Sequence, residues 1–198
     1  MQTTTYNLEK FSRRLSKYID ENRFVHTQGV RYISAALAMA HGVDIHLAET
    51  AGLLHDCAKC IPDAKKIKIC EKNGLPVTDI ERNNPFLLHA KVGAVIAKEK
   101  YGVEDPQILN AITYHTTGRA GMTPLEQIVF IADYIEPLRN KSKQLPEIRR
   151  MAFRDLNECC YLILMDMLLF LNSRSGQIDG HTQEAFDFYE EVHQETRD

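Results

Sequence analysis

Apolar residues in this chain recur three and four positions apart and nowhere alternate over a useful length, a pattern that builds helices packed on one another and leaves no sheet to form. Residues 27–41 carry Val30, Ile33, Ala36, Leu37 and Ala40 near one face before Gly42 interrupts them, and residues 48–58 present Ala51, Leu54, His55 and Ala58 together until Pro62. Further helices are expected over 8–18 and over 64–73, the latter stopped by Gly74 and Pro76. Asn84-Pro85 opens one over 86–101, Asp105-Pro106 one over 106–114, and Thr123-Pro124 with Glu126 caps one that runs through Ile135. A polar loop over 136–144, a long apolar region over 146–170, a second polar loop over 172–180 and a last helix from 182 or 183 to 195 complete an all-α expectation.

At 198 residues, with 44% apolar and 26% charged types, the chain has material for one sizeable core. No repeat or low-complexity linker divides it, so one domain over 1–198 is expected. The net charge of −3 provides no surface for a nucleic-acid backbone, and the short patch of Lys65, Lys66 and Lys68 is offset by Asp63 and Glu71 without interleaved aromatics. The amino end shows no secretory pattern, and the greasiest stretch, residues 161–171, contains Asp166 and is too short to span a bilayer. No membrane contact and a cytoplasmic location are therefore expected. That stretch can bury itself in the core or in a homodimer interface. The 5 cysteines are too few for a disulfide scaffold, and Cys57-x-x-Cys60 lacks the second pair of a zinc ribbon, so reduced thiols are expected.

Six polar residues fall where an apolar helix face would continue or end: His26, His55, Asp56, His89, His115 and Asp133. Singly, each has a plain explanation, as a hydrogen-bonded core histidine, a cap, or a partner for Arg139. Together they ask for more. An isolated carboxylate among Leu53, Leu54 and Ala58 is costly to bury, and a cation shared with neutral imidazoles removes that cost.

This ordered set resembles the HD superfamily of metal-dependent phosphohydrolases. AGLLHDCAK, LLHAKVGA and ITYHTTGRAGMTPLEQIVFIADYIEPLR are more specifically similar to its bacterial symmetrical diadenosine tetraphosphatases. The resemblance implies an HD-domain helical bundle with its motifs in 23–139 and a C-terminal extension, 145–198, that completes a nucleotide site. It implies cleavage of a dinucleoside tetraphosphate into two ADP. His26, His55, Asp56 and Asp133 match the family's metal ligands, with iron first and manganese, cobalt, nickel or zinc admitted by the same donors. His89 and His115 match contacts to phosphate and the transition state, or else ligands to a second metal. Asp56 matches the group that orients the attacking water. Arg23, Lys59 and Arg139 are the cations for the polyphosphate, Lys59 counting also as catalytic, with a hydroxyl from Thr116 and with Asp133 at the same nucleotide end. Ser175, Gly176, Gln177, Ile178, Asp179 and Gly180 match a nucleoside-contacting loop, although Gly180-His181-Thr182 stands where relatives have proline-aspartate-threonine. The alternative on the same fold is a nucleotidase or phosphodiesterase acting on a nucleoside monophosphate, a cyclic nucleotide or a guanosine polyphosphate.

Overall fold

The computed structural model describes residues 5–140, 142–173 and 177–197, and those residues form an all-α bundle without a strand. The helices are α1 (Leu8–Leu15), α2 (Glu21–His41), α3 (Ile45–Leu54), α4 (Asp63–Lys72), α5 (Asp79–Asn83), α6 (His89–Tyr101), α7 (Pro106–Tyr114), α8 (Pro124–Ile135), α9 (Leu145–Ala152), α10 (Leu156–Ser173) and α11 (Gly180–Glu195).

Side-chain caps decide most of the boundaries, and they account for the places where apolar spacing misleads. α2 starts at Glu21 rather than 27, because Asp20 accepts from the Arg23 amide at 2.9 Å; His26 is thereby carried into the second turn instead of standing at the helix mouth. Asp44 caps α3, and Thr78 and Thr123 form capping boxes with Glu81 and Glu126 at the starts of α5 and α8. α3 stops at Leu54, so His55 and Asp56 sit in a run of turns over 55–60 and not within a helix. A 3-10 turn, Pro85–Leu88, precedes α6 and makes His89 its first residue. The long apolar region is two helices: residues 153–155 separate α9 from α10, and Asp155 accepts from the Glu158 amide.

α8 is the centre of the bundle. It packs on α2, α3, α7 and α10, and Leu125, Ile128, Val129, Phe130, Ile131, Ala132 and Ile135 are all buried. A helix apolar on nearly every face belongs inside a protein, which makes a carboxylate on it, Asp133, expensive unless it is matched. A second, smaller cluster of Ala58, Cys70, Leu88 and Val92 fixes the 55–60 turns against α4 and α6.

α2 and α3 lie close enough that position 52 has room only for glycine. A Cβ there would stand 2.7 Å from Ser34 Oγ and 3.1 Å from the Arg31 Cα. Gly52→Ala is therefore expected to lower stability by about 1–3 kcal/mol despite alanine's better helix propensity, measured by urea unfolding.

α10 is long and apolar enough by composition to cross a membrane, a longer run than the sequence reading marked off; a third of it is buried, against α8, α9 and α11. All five cysteines are free, four of them buried, and burial pushes the Cys57 thiol up. Cys57 Sγ donates to the Gly93 carbonyl, whereas Cys60 is exposed.

Candidate metal centre

Five segments deliver six side chains to one point. α2 supplies His26, the end of α3 supplies His55 and Asp56, the start of α6 supplies His89, the end of α7 supplies His115, and α8 supplies Asp133.

Three of the rings are aimed by the main chain. His55 Nδ1 lies 2.7 Å from the Gly52 carbonyl, His89 Nδ1 2.6 Å from that of Phe86, and His115 Nδ1 2.7 Å from that of Ile112. A carbonyl only accepts, so each Nδ1 carries the proton and each Nε2 presents a bare lone pair inward. The fourth ring is held differently: His26 Nδ1 lies 3.1 Å from Glu136 Oε1.

The inward atoms meet as acceptors facing acceptors. His26 Nε2 is 3.0 Å from Asp133 Oδ1, and His55 Nε2 is 3.7 Å from Asp56 Oδ2 and 3.9 Å from Asp133 Oδ1. Asp56 Oδ1 is 3.2 Å from His89 Nε2 and 3.6 Å from His115 Nε2. Three overlapping ligand sets result, His26/His55/Asp56, His55/His115/Asp133 and Asp56/His89/His115, each with its donor atoms within 4.8 Å of one another.

Within this cluster His26 Nε2, His55 Nε2 and Asp56 Oδ1 are buried without a hydrogen-bond partner. Each such atom costs about 1–3 kcal/mol, and a cation at the focus satisfies all three at once. Imidazole nitrogen mixed with carboxylate oxygen suits a divalent transition metal better than magnesium or calcium, so these residues fit the ion that the motif implies. Burial, chiefly, pushes His55 and His89 down to about 4, which keeps both rings neutral and able to ligate. Burial works to raise the Asp133 carboxyl, but a proton on His26 beside it, with His55 and Arg139, would hold it far below the usual carboxylate range.

Around the acceptors stands a rim of donors. Arg23 Nη1 is 2.9 Å from Asp56 Oδ2, and Arg139 Nη2 is 2.6 Å from Asp133 Oδ1. Lys59 Nζ lies 2.9 Å from His89 Nε2 and 3.4 Å from Asp56 Oδ1. Thr116 Oγ1 is 3.1 Å from His89 Nε2 and 3.0 Å from His115 Nε2, with one hydroxyl proton for two lone pairs. Arg119, bonded to Glu126 at 2.6 Å, pins the loop that carries Thr116. The three cations open with Asn22, Glu136 and Leu138 onto a cleft of about 410 Å³.

The C-terminal loop lies elsewhere. Asp179 caps α11 through the His181 amide at 2.9 Å, and Gln177 accepts from Asn84 at 3.3 Å. Asp179 and His181 line a small separate pocket with Tyr114 and Thr117, while Ile178 is half-buried and Gly180 is exposed. Ser175 and Gly176 fall outside the described residues. Lys91 of α6 is mostly buried, 2.6 Å from Glu81 Oε1, which occupies its charge. The residue the sequence reading missed is Glu136, placed there at the start of a polar loop yet almost fully buried. Its separation of three from Asp133 is the signal that puts both carboxylates on one side of α8.

Residues 23–138 match the HD domain, and the chain belongs to that family of helical domains with a histidine and aspartate metal centre. Within the family it is similar to the symmetrical bis(5'-nucleosyl)-tetraphosphatase of Bacillus subtilis (strain 168), with 37% identity over 172 residues covering 87% of this chain and 91% of that protein. It is also similar to the protein of the same name from Staphylococcus aureus (strain NCTC 8325 / PS 47), with 34% identity over 185 residues covering 92% and 94%. Among solved structures, a predicted HD superfamily hydrolase involved in NAD metabolism from Clostridium acetobutylicum superposes with a TM-score of 0.91 at 36% identity, over 96% of this chain and 100% of that one.

Proposed function

We propose that this enzyme hydrolyses diadenosine tetraphosphate at its middle to give two ADP, the substrate class in the names of the relatives, and that iron is the first choice of ion. One observation carries the division of labour. The unpartnered atoms fall on His26, His55 and Asp56, whereas the Nε2 atoms of His89 and His115 already have Lys59 and Thr116 as donors. We therefore assign one ion to His26, His55, Asp56 and Asp133, and give His89 and His115 to the phosphates; the Lys59 ammonium stands where a second ion would need to approach His89.

Bound by those four residues, a divalent ion supplies Lewis acidity and a water acidic enough to ionise near neutral pH. Asp56, whose Oδ1 has no hydrogen-bond partner, would both hold the ion and orient the attacking water beside it. Arg23, Lys59 and Arg139 lie along the cleft and neutralise the phosphate chain, each exchanging part of its contact with Asp56 or Asp133 for a phosphoryl oxygen. Thr116 and the two rings beside it face the charge that develops during displacement. The nucleoside end is given to the extension α9–α11 by the resemblance alone, since Asp179 there serves as the cap of α11. Nothing in this scheme calls on a covalent nucleophile.

The test is chromatography of products after anaerobic loading with Fe(II), Mn(II) or Co(II). ADP is the expected sole product. AMP with ATP would overturn symmetrical attack, and turnover confined to monophosphates, cyclic nucleotides or guanosine polyphosphates would replace the substrate.

A further inference from the structure

His26 is the exception among the four histidines. Its Nδ1 faces no main-chain carbonyl but the carboxylate of Glu136, which is 1% exposed. Glu136 is built into its place from three directions. Its Oε2 accepts from the Leu138 amide at 2.9 Å. Gly29 on α2 leaves the space it occupies, for a Cβ there would stand 3.0 Å from Oε2. Arg149 of α9 holds the segment that bears it, donating to the carbonyls of Ile135 at 2.9 Å, Glu136 at 3.0 Å and Arg139 at 2.8 Å. The first two of those carbonyls lie at the end of α8, where a guanidinium also meets the negative end of the helix dipole.

We infer that Glu136 is a positioning residue that fixes the tautomer and direction of His26 toward the ion, and that Arg149, outside the segment matching the HD domain, holds Glu136 for this task. A carboxylate behind a ligating imidazole orients the ring and makes its other nitrogen a better donor. Both oxygens of Glu136 accept from N–H groups, so glutamine cannot replace it: the amide nitrogen would have to face either His26 Nδ1–H or the Leu138 N–H. The inference rests on the reading that the cluster holds a divalent ion, and the test separates the two.

Co(II) is titrated into the purified protein and followed by ligand-field absorption and chelator competition. Glu136→Gln is expected to weaken Co(II) binding about 10- to 100-fold. In a His26→Ala background the same substitution is expected to change affinity by less than about threefold, because the ring through which it acts is gone. Wild-type affinity for Glu136→Gln, or a loss that persists in full without His26, overturns the inference. Should Glu136→Gln fail to fold, Arg149→Lys leaves Glu136 in place but cannot bridge three carbonyls: weaker Co(II) binding supports the inference and unchanged binding overturns it. Failure of the unsubstituted protein to bind Co(II) would remove the metal reading as well.

Discussion

Asp133→Asn is expected to lower turnover at least about 10³-fold with divalent ion in excess, the order of loss seen when preorganised charge is taken from a reacting centre. Its Oδ1 lies 3.0 Å from His26 Nε2 and 2.6 Å from Arg139 Nη2, so one atom anchors both the ion's ligands and a phosphate-facing cation. Asparagine keeps the volume but gives up the charge. In the ion-free protein its amide can donate to the bare His26 Nε2 that now has no hydrogen-bond partner. The new bond to His26 offsets the lost pairing with Arg139, so ion-free stability is expected to change by no more than about 1 kcal/mol while activity collapses. Kinetics and calorimetry on one preparation check both halves, and a near-normal rate would remove Asp133 from the centre. Asp56→Asn is expected to behave alike.

The second large effect is thermal. Four imidazoles and two carboxylates gathered in one place are poorly matched to one another without a cation, so the ion should stabilise the folded chain strongly. At an ion concentration about a thousand times its Kd, linkage adds about 4 kcal/mol. For a chain of this size each kcal/mol moves Tm by about 2–4 °C, so a rise of about 8–16 °C is expected on adding Mn(II) or Co(II) to chelator-treated protein. Magnesium and calcium, which prefer all-oxygen sites, should shift it little. A shift under about 2 °C with every transition metal would speak against a high-affinity centre, since even 100 times Kd contributes about 2.7 kcal/mol.

Much of this was legible from residue types and spacing. The all-helical class followed from periodicity, and His26, His55, Asp56, His89, His115 and Asp133 stood out as polar residues in apolar company; the structure brings all six together. What periodicity could not place were the ends of helices. Those depend on local competition between side chain and backbone, as where Asp20 starts α2 early and where α3 stops before His55. Glu136 was hidden for a related reason: it reads as the first residue of a polar loop, and only the packing of α2 against α8 shows it to be buried behind His26. The approach of Arg149 across the α8–α9 connection is a tertiary fact with no local signature.

Three of the rings are steered by the carbonyl three residues back, at the ends of α3 and α7 and in the turn before α6. The groups that steer them belong to the backbone, so the identity of Phe86 or Ile112 matters less to the centre than the number of residues that follow it. A centre made in this way tolerates drift in spelling but not in count. One residue inserted between Ile112 and His115 would turn the ring by about 100° around the helix axis, whereas a change of side chain beside it leaves the aim intact. Such a lineage can diverge widely in sequence and still keep every interval between a helix end and its histidine.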